Sequence, residues 1–386
     1  MGSKKLQKGF GVFFDPTKTT SGQRFFSDLY HTLSDRSVPL SERPCVVLFN
    51  VSAPFKDIVS AKLRHQKIVL RIDGLYCDRL SSSFIASFKW PLRKVFLLGL
   101  KWEWTHDFFA FWANLISQNY GAFARILMAD LIIYQSNFSQ KVHSRYFPNK
   151  PYRIITNGSA INFWCRDVQD RTIDEEIRLV TIYDDWRPSK RIHDIVSFVQ
   201  WMMEIKNIPV KLTILGYTGN IPSCVPNQMK NIIENSSYIR TLPRFTGFNE
   251  TFRNILQESD IYITFSYRDA CPNTVIESMA HGLPVVGIAS GGLPDIVGQA
   301  GILLPIDDFS DGFFTSGRYE CEFPPIDYEK ILMALQNVME NYKNYRTLVQ
   351  DRFKAVLDIK IVAEHYACLL NDMVIATALK STCIEE

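Results

Sequence analysis

Residues 266–286, SYRDACPNTVIESMAHGLPVV, decide the architecture. They follow an apolar run, Ile261–Phe265, that reads as a strand, and they pass from a short loop into a helical pattern. Gly282-Leu283-Pro284 ends that pattern just before a second apolar run, Val285–Ile288. Strands alternating with helices make an α/β domain with a parallel sheet, and open parallel sheets bind ligands at the carboxyl ends of their strands. Asp269 therefore lies on a loop at the ligand-binding edge.

The same alternation extends in both directions. Strands are expected at Gly11–Phe14, Val46–Asn50, Ile68–Ile72, Leu131–Gln135 and Arg153–Thr156, then at Leu179–Tyr183, Lys211–Leu215, Ile261–Phe265, Val285–Ile288 and Ile302–Leu304. Helical patterns fall between them, at Gln23–Leu33, Arg191–Met203, Asn249–Gln257 and Tyr328–Tyr342. Two sets of five strands suggest two doubly wound domains. A chain of 386 residues suits two domains better than one core. The expected division is 1–160, 161–358, and a last helix, 359–386, that crosses back to the first domain; the boundary falls where Asn157-Gly158 ends a strand.

A chain 46% hydrophobic and 22% charged is neither disordered nor fibrous. A net charge of +3 without long like-charge runs argues against nucleic acid as a partner. The eight cysteines are scattered, and Cys45 precedes the apolar Val46-Val47-Leu48, so they read as reduced core residues of a cytoplasmic protein. Neither a signal peptide nor a spanning helix is read. Residues 84–123 are rich in Phe, Trp and Leu with Lys89, Arg93, Lys94 and Lys101 among them. That mixture suits peripheral contact with anionic lipid headgroups at the inner face of a membrane, or a helix pair packed in the core.

In the decisive segment, the amides of Asn273, Thr274 and Val275, after Cys271-Pro272, would open a helix toward an anion such as a diphosphate. Glu277 sits one turn in, where a carboxylate can accept hydrogen bonds from vicinal hydroxyls. A second segment, Tyr183 to Arg191, ends one strand and starts a helix. A diphosphate bound at this edge would carry charge that a metal or fixed cations can stabilise. No Asp-x-Asp occurs in the chain, so Arg187 and Lys190 would serve, with Arg191 facing solvent on its helix. Gly216, ending another strand, reads as a turn whose backbone the ligand approaches.

Residues 178–305 resemble the retaining GT-B glycosyltransferases of the family-four (glycosyl transferases group 1) type. Asp269 stands where those enzymes usually carry the first glutamate of an E-x7-E pair, and Glu277 matches the second. Gly282-Leu283-Pro284-Val285-Val286 and Ser290-Gly291-Gly292 continue the pattern. The resemblance implies two Rossmann-like domains facing across a cleft, with the nucleotide ribose on Glu277 and the donor sugar's hydroxyls on Asp269. Lys190 resembles the family's lysine at this edge. The resemblance also implies retention of anomeric configuration without a protein nucleophile, the departing phosphate taking the acceptor's proton.

In the first half, Ser21 and Gly22 occupy the place of the family's glycine-rich loop, with one glycine only. Asp73, in Arg71-Ile72-Asp73-Gly74, stands in the region where many relatives place a histidine; it could orient acceptor or donor, or cap a strand end. Ser136 reads as a helix cap. Phe245-Thr246-Gly247 is expected near the base. The function implied is transfer of a sugar from a nucleotide-diphosphate sugar to a glycan or lipid-linked acceptor, in surface polysaccharide or glycoconjugate synthesis, with no cofactor besides the donor. The alternatives are a nucleotide-sugar epimerase and a non-catalytic sugar-nucleotide-binding partner subunit. The epimerase needs acid/base residues, whereas His193 and His281 look helical and His31 and His143 peripheral. A nicotinamide dehydrogenase lacks support, since no G-x-G-x-x-G follows the first strand.

Overall fold

The computed structural model describes residues 9–13, 21–35, 44–72, 89–99, 101–102, 105, 108–109, 112, 120–144, 147, 149–161, 176–183, 186–221, 225–243, 250–306, 308 and 323–382. Asp73, Asp184, Asp185 and residues 245–247 lie outside them, as do the side chains of residues 21–23. The chain divides into two compact units, one of residues 1–76, 114–160 and 356–386, the other of 77–113 and 161–355.

The first unit is built on a parallel sheet whose strands lie in chain order: β1 (Phe10–Val12), β2 (Val46–Asn50), β3 (Lys67–Ile72), β4 (Leu131–Tyr134) and β5 (Tyr152–Ile154). β2 is buried along its whole length and β3 along nearly all of it, which is why Val46–Phe49 and Ile68–Leu70 read as apolar runs. Helix α1 (Ser21–Asp35) covers one face through Phe25, Phe26, Leu29 and Leu33. The other face carries α2 (Phe55–Leu63). After α3 (Leu92–Gly99), which belongs to the second unit, α4 (Tyr120–Met128) and α5 (Asn137–Ser144) return to the first. Ser136 Oγ accepts the Ser139 amide at 3.1 Å, the geometry of an N-cap.

One expectation fails in this unit. His143 is not peripheral: it is fully buried, its ring beside those of Tyr134 and Phe147. Burial pushes its imidazole down to about 4, and its Nδ1 lies 2.6 Å from the Ser139 carbonyl. The cause is α5's face, which turns Val142 and His143 inward together.

The second unit holds six parallel strands, in the order β11-β10-β9-β6-β7-β8. They are β6 (Ile177–Ile182), β7 (Val210–Leu215), β8 (Ile239–Leu242), β9 (Ile261–Thr264), β10 (Val285–Ala289) and β11 (Gly301–Pro305). β8 was not foreseen, because Arg240 and Thr241 break up its apolar pattern. Helices α6 (Ile192–Glu204), α7 (Asn227–Asn235), α8 (Glu250–Glu258), α9 (Asn273–Ala280), α10 (Leu293–Val297), α11 (Tyr328–Glu340) and α12 (Tyr342–Arg352) accompany it. α6 buries Ile192, Ile195, Val196, Phe198, Val199 and Met202, the spacing of one helical face. The last helix, α13 (Ile359–Thr382), belongs to the first unit, where Tyr366 meets Phe25 at a ring distance of 6.0 Å. It docks against the Asn157-Gly158 turn: the Ser159 amide donates to Leu357, and the Ile359 amide to Ser159.

Parallel sheets leave strand-end groups to satisfy at both edges. At the amino edge, Asp130 takes the Ile68 amide at 2.8 Å and Lys62 at 2.6 Å. Asp260 does the same in the second sheet, with the Arg178 amide at 2.9 Å and its guanidinium at 2.7 Å.

Candidate functional site

The order of the second sheet contains a reversal. From β6 the chain runs outward through β7 and β8; it then returns to the other side of β6 and runs through β9, β10 and β11. β6 and β9 are neighbours, paired at Leu179–Ile261 and Val180–Tyr262. Where the winding reverses, the loops leaving the two strands part and open a crevice at their carboxyl ends, the usual binding position in open α/β sheets.

The loop after β6 carries Trp186, Arg187 and a 3-10 turn, Pro188–Lys190; the loop after β9 carries Tyr267, Arg268 and Asp269. Two contacts join them. The Tyr267 amide donates to the Ser189 carbonyl at 2.8 Å, and Lys190 Nζ donates to Asp269 Oδ2 in an ion pair. Burial alone would raise the Asp269 carboxyl. Lys190, through its charge and hydrogen bond, the Cys271 amide at 3.2 Å and the charge of Arg187 together hold it below the ordinary carboxylate value. Lys190 and Asp269 both remain partly open to solvent, while Arg187 is exposed.

The Asp269 loop is fastened from behind. Its carbonyl accepts the Gly292 amide at 2.7 Å, and the Arg268 amide donates to Ser290 Oγ at 2.8 Å. Asp308 in turn accepts the Ser290 hydroxyl and, at 2.7 Å, the Gly291 amide. Gly291 has φ of +63°, and a Cβ there would lie 2.2 Å from the Asp269 carbonyl oxygen, so only glycine permits this approach.

Pro272 is the N-cap residue of α9, whose first turn follows directly on the Asp269 loop. Val275 does not present its amide outward as expected: the amide donates to the Pro272 carbonyl at 3.1 Å, closing the first turn. The helix start is pinned to the sheet by Tyr262, whose hydroxyl lies 3.0 Å from Thr274 Oγ1. Burial raises the Tyr262 phenol, and the charges of Glu277 and Asp269 raise it further, so both carboxylates act on one buried hydroxyl. Glu277 is half-buried on α9, and its carbonyl lies 2.9 Å from His281 Nδ1.

Arg191 departs from its expected exposure. It takes a left-handed φ of 52° between the 3-10 turn and α6, which turns its side chain inward. There Nε meets Asp194 at 2.6 Å and the guanidinium lies 5.2 Å from the Phe323 ring centre. Gly216 has φ of +95°, and a Cβ there would lie 1.7 Å from the Tyr183 carbonyl oxygen: close packing of two strand ends requires this glycine. Trp186 and Tyr217, after β6 and β7, form a ring pair 5.9 Å apart that sequence reasoning passed over. An aromatic at each of two adjacent strand ends was the available signal.

Lys190, Asp269, Arg187, Thr274 and Glu277 thus gather around the ends of β6 and β9. Ser21 and Gly22 begin α1 in the first unit, and Asp73 lies outside the described residues. Among the described residues, no group of three His, Cys, Asp or Glu is placed to hold a metal. What the site offers is cations beside a helix start, with a half-buried carboxylate one turn further in.

Known proteins carry the same arrangement of elements. Residues 186–316 match the family described as Glycosyl transferases group 1. The N-acetyl-alpha-D-glucosaminyl L-malate synthase of Bacillus anthracis is 24% identical over 176 residues, a match spanning 44% of either chain, less than half the length of that relative. Among solved structures, Anabaena HepE, determined with UDP-glucose, superposes with a TM-score of 0.55 at 12% identity, covering 96% of this chain and all of that one. Sucrose-phosphate synthase from Thermosynechococcus elongatus gives 0.55 at 16% identity, over 94% of this chain and 82% of its own. The pneumococcal O-GlcNAc transferase GtfA, determined with UDP and GlcNAc, gives 0.51 at 15% identity over 90% and 60%. The fold is that of GT-B glycosyltransferases.

Proposed function

We propose that this chain is a glycosyltransferase that moves a sugar from a nucleoside-diphosphate sugar to a glycan or lipid-linked acceptor, with retention of anomeric configuration. The observation that carries the proposal is the Lys190–Asp269 ion pair across the loops of β6 and β9, at the point where the sheet's winding reverses. The group 1 match over residues 186–316, and the UDP-glucose and the UDP with GlcNAc recorded with two fold relatives, support it.

An ammonium group has three donors. One is spent on Asp269, which fixes the direction of the other two, and those suit diphosphate oxygens. Arg187 adds a second positive charge at the crevice rim, and the start of α9 a third positive pole. As the bond between the anomeric carbon and the phosphate oxygen breaks, negative charge grows on the diphosphate; fixed cations lower that barrier without a metal. The acceptor oxygen bonds the anomeric carbon from the same face, and its proton passes to a phosphate oxygen of the leaving group. The products are a nucleoside diphosphate and the new glycoside. Asp269, held ionised, accepts sugar hydroxyls with its remaining lone pairs, and Glu277 accepts the two ribose hydroxyls. The setting is surface polysaccharide or glycoconjugate synthesis, in the cytoplasm at the inner face of the membrane.

The test is a thermal-shift panel of UDP-, GDP- and ADP-sugars on the wild type and on Glu277→Ala. A shift with one nucleotide class, lost in the variant, is the expected result and names the base. No shift with any nucleotide would overturn the donor site.

A further inference from the structure

The second unit includes α3 and the residues around it, and nearly every side chain there faces solvent. Trp90 is 79% exposed; Leu92, Val95, Leu97, Leu98 and Trp102 are each about half exposed. Within α3 only Phe96 and Gly99 are buried. Large apolar side chains exposed singly are ordinary, but six within thirteen residues form a patch of the kind that marks an interaction surface.

The charges within this patch have one sign. Lys89, Arg93, Lys94 and Lys101 are all exposed, and residues 89–102 contain no Asp or Glu. On α3 Arg93 and Lys94 lie side by side, and the helical turn places Leu97 next to Arg93 and Leu98 next to Lys94, so cations and exposed leucines share one surface. A protein partner with an apolar face would leave these cations buried against carbon. A second copy of this chain would set them against their own like charges, which is costly. A bilayer with anionic headgroups meets both requirements in one layer: acyl chains take the leucines and valine, the interface takes the indoles, and phosphates take the long basic side chains as they extend upward. Among the described residues no helix is long and apolar enough to cross a membrane, so contact of this type lies in the surface plane.

We infer that residues 89–102 are a docking surface for an anionic lipid bilayer. The inference extends the lipid-linked acceptor proposed above, but vesicle binding and nucleotide binding are separate measurements and fail separately.

The test is sedimentation of the full chain with vesicles of phosphatidylcholine alone and of phosphatidylcholine mixed with phosphatidylglycerol. The expected result is binding to the mixed vesicles only, weakened by added salt. Arg93→Glu with Lys94→Glu should cut that binding by at least on the order of tenfold, from the worth of each basic residue near an anionic surface. Leu97→Ser with Leu98→Ser should cut it too; all four positions are exposed, so unchanged thermal unfolding verifies the fold. Equal binding to both vesicle types, no binding to either, or binding that survives both pairs of substitutions would overturn the inference. So would a dimer in light scattering that Leu97→Ser with Leu98→Ser dissolves, since the occupant would then be a second copy.

Discussion

At the scale of single residues, the site turns on an acid kept ionised and a cation kept aimed. Asp269 has a carboxyl depressed below its ordinary 3.8, so the Lys190 pair is complete above that value and is lost only as the pH falls through the lower, folded-state value. Titration of Asp269 therefore contributes nothing to activity changes near neutral pH. Replacing Lys190 by Ala should lower turnover of the donor identified in the nucleotide panel by roughly 10²-fold, the usual loss when one fixed stabiliser of developing charge is removed. Thermal stability should fall as well, because the substitution leaves the largely buried Asp269 carboxylate without its cation. Steady-state donor hydrolysis measures the first and a melting curve the second; wild-type turnover would take Lys190 out of the diphosphate site.

At the scale of elements, the site is a set of strand-end loops tied to one another. The β9 loop leans on Ser290, Gly291 and Gly292 after β10, and those lean on Asp308 after β11. Gly291→Ala tests the lacing. The new methyl group would collide with the Asp269 backbone, and alanine resists a φ of +63°. A loss of about 1–3 kcal/mol in chemical denaturation is expected, together with loss of the nucleotide-induced shift. Gly219 is the control: it also has positive φ, but no atom lies within 4 Å of a Cβ placed there. Gly219→Ala should keep the nucleotide shift, and equal damage from both substitutions would mean that backbone strain, not the approach to Asp269, is what matters.

At the scale of the molecule, the first unit is discontinuous in sequence and is completed by the last helix. Tyr366 on α13 is fully buried against the α1 side of the first sheet, in one cluster with Phe25, Phe26 and Leu29. Tyr366→Ala should cost about 3–5 kcal/mol, the range for deleting a buried aromatic ring. The loss should appear in urea unfolding as a lower midpoint. An unchanged midpoint would show that α13 is dispensable to the first core.

Much of this was legible along the chain. Runs of buried strand and the spacing of helices such as α6 express local periodicity, and periodicity survives in one dimension. The loops bearing Lys190 and Asp269 could be assigned to strand ends for the same reason. β8 was not legible, because an edge strand with two polar residues has no distinctive period. Nor was the inward turn of Arg191, which depends on a single left-handed dihedral, or the burial of His143, which depends on what packs against α5. Strand order is the deepest of these omissions. Lys190 and Asp269 lie 79 residues apart, and nothing between them states that β9 will pair with β6. By itself the sequence determined that the chain is an α/β protein with ligand-type residues after its strands. Only the tertiary structure decided which of those residues meet, because the pairing of distant strands is settled by the packing of whole sheets and not by any local preference.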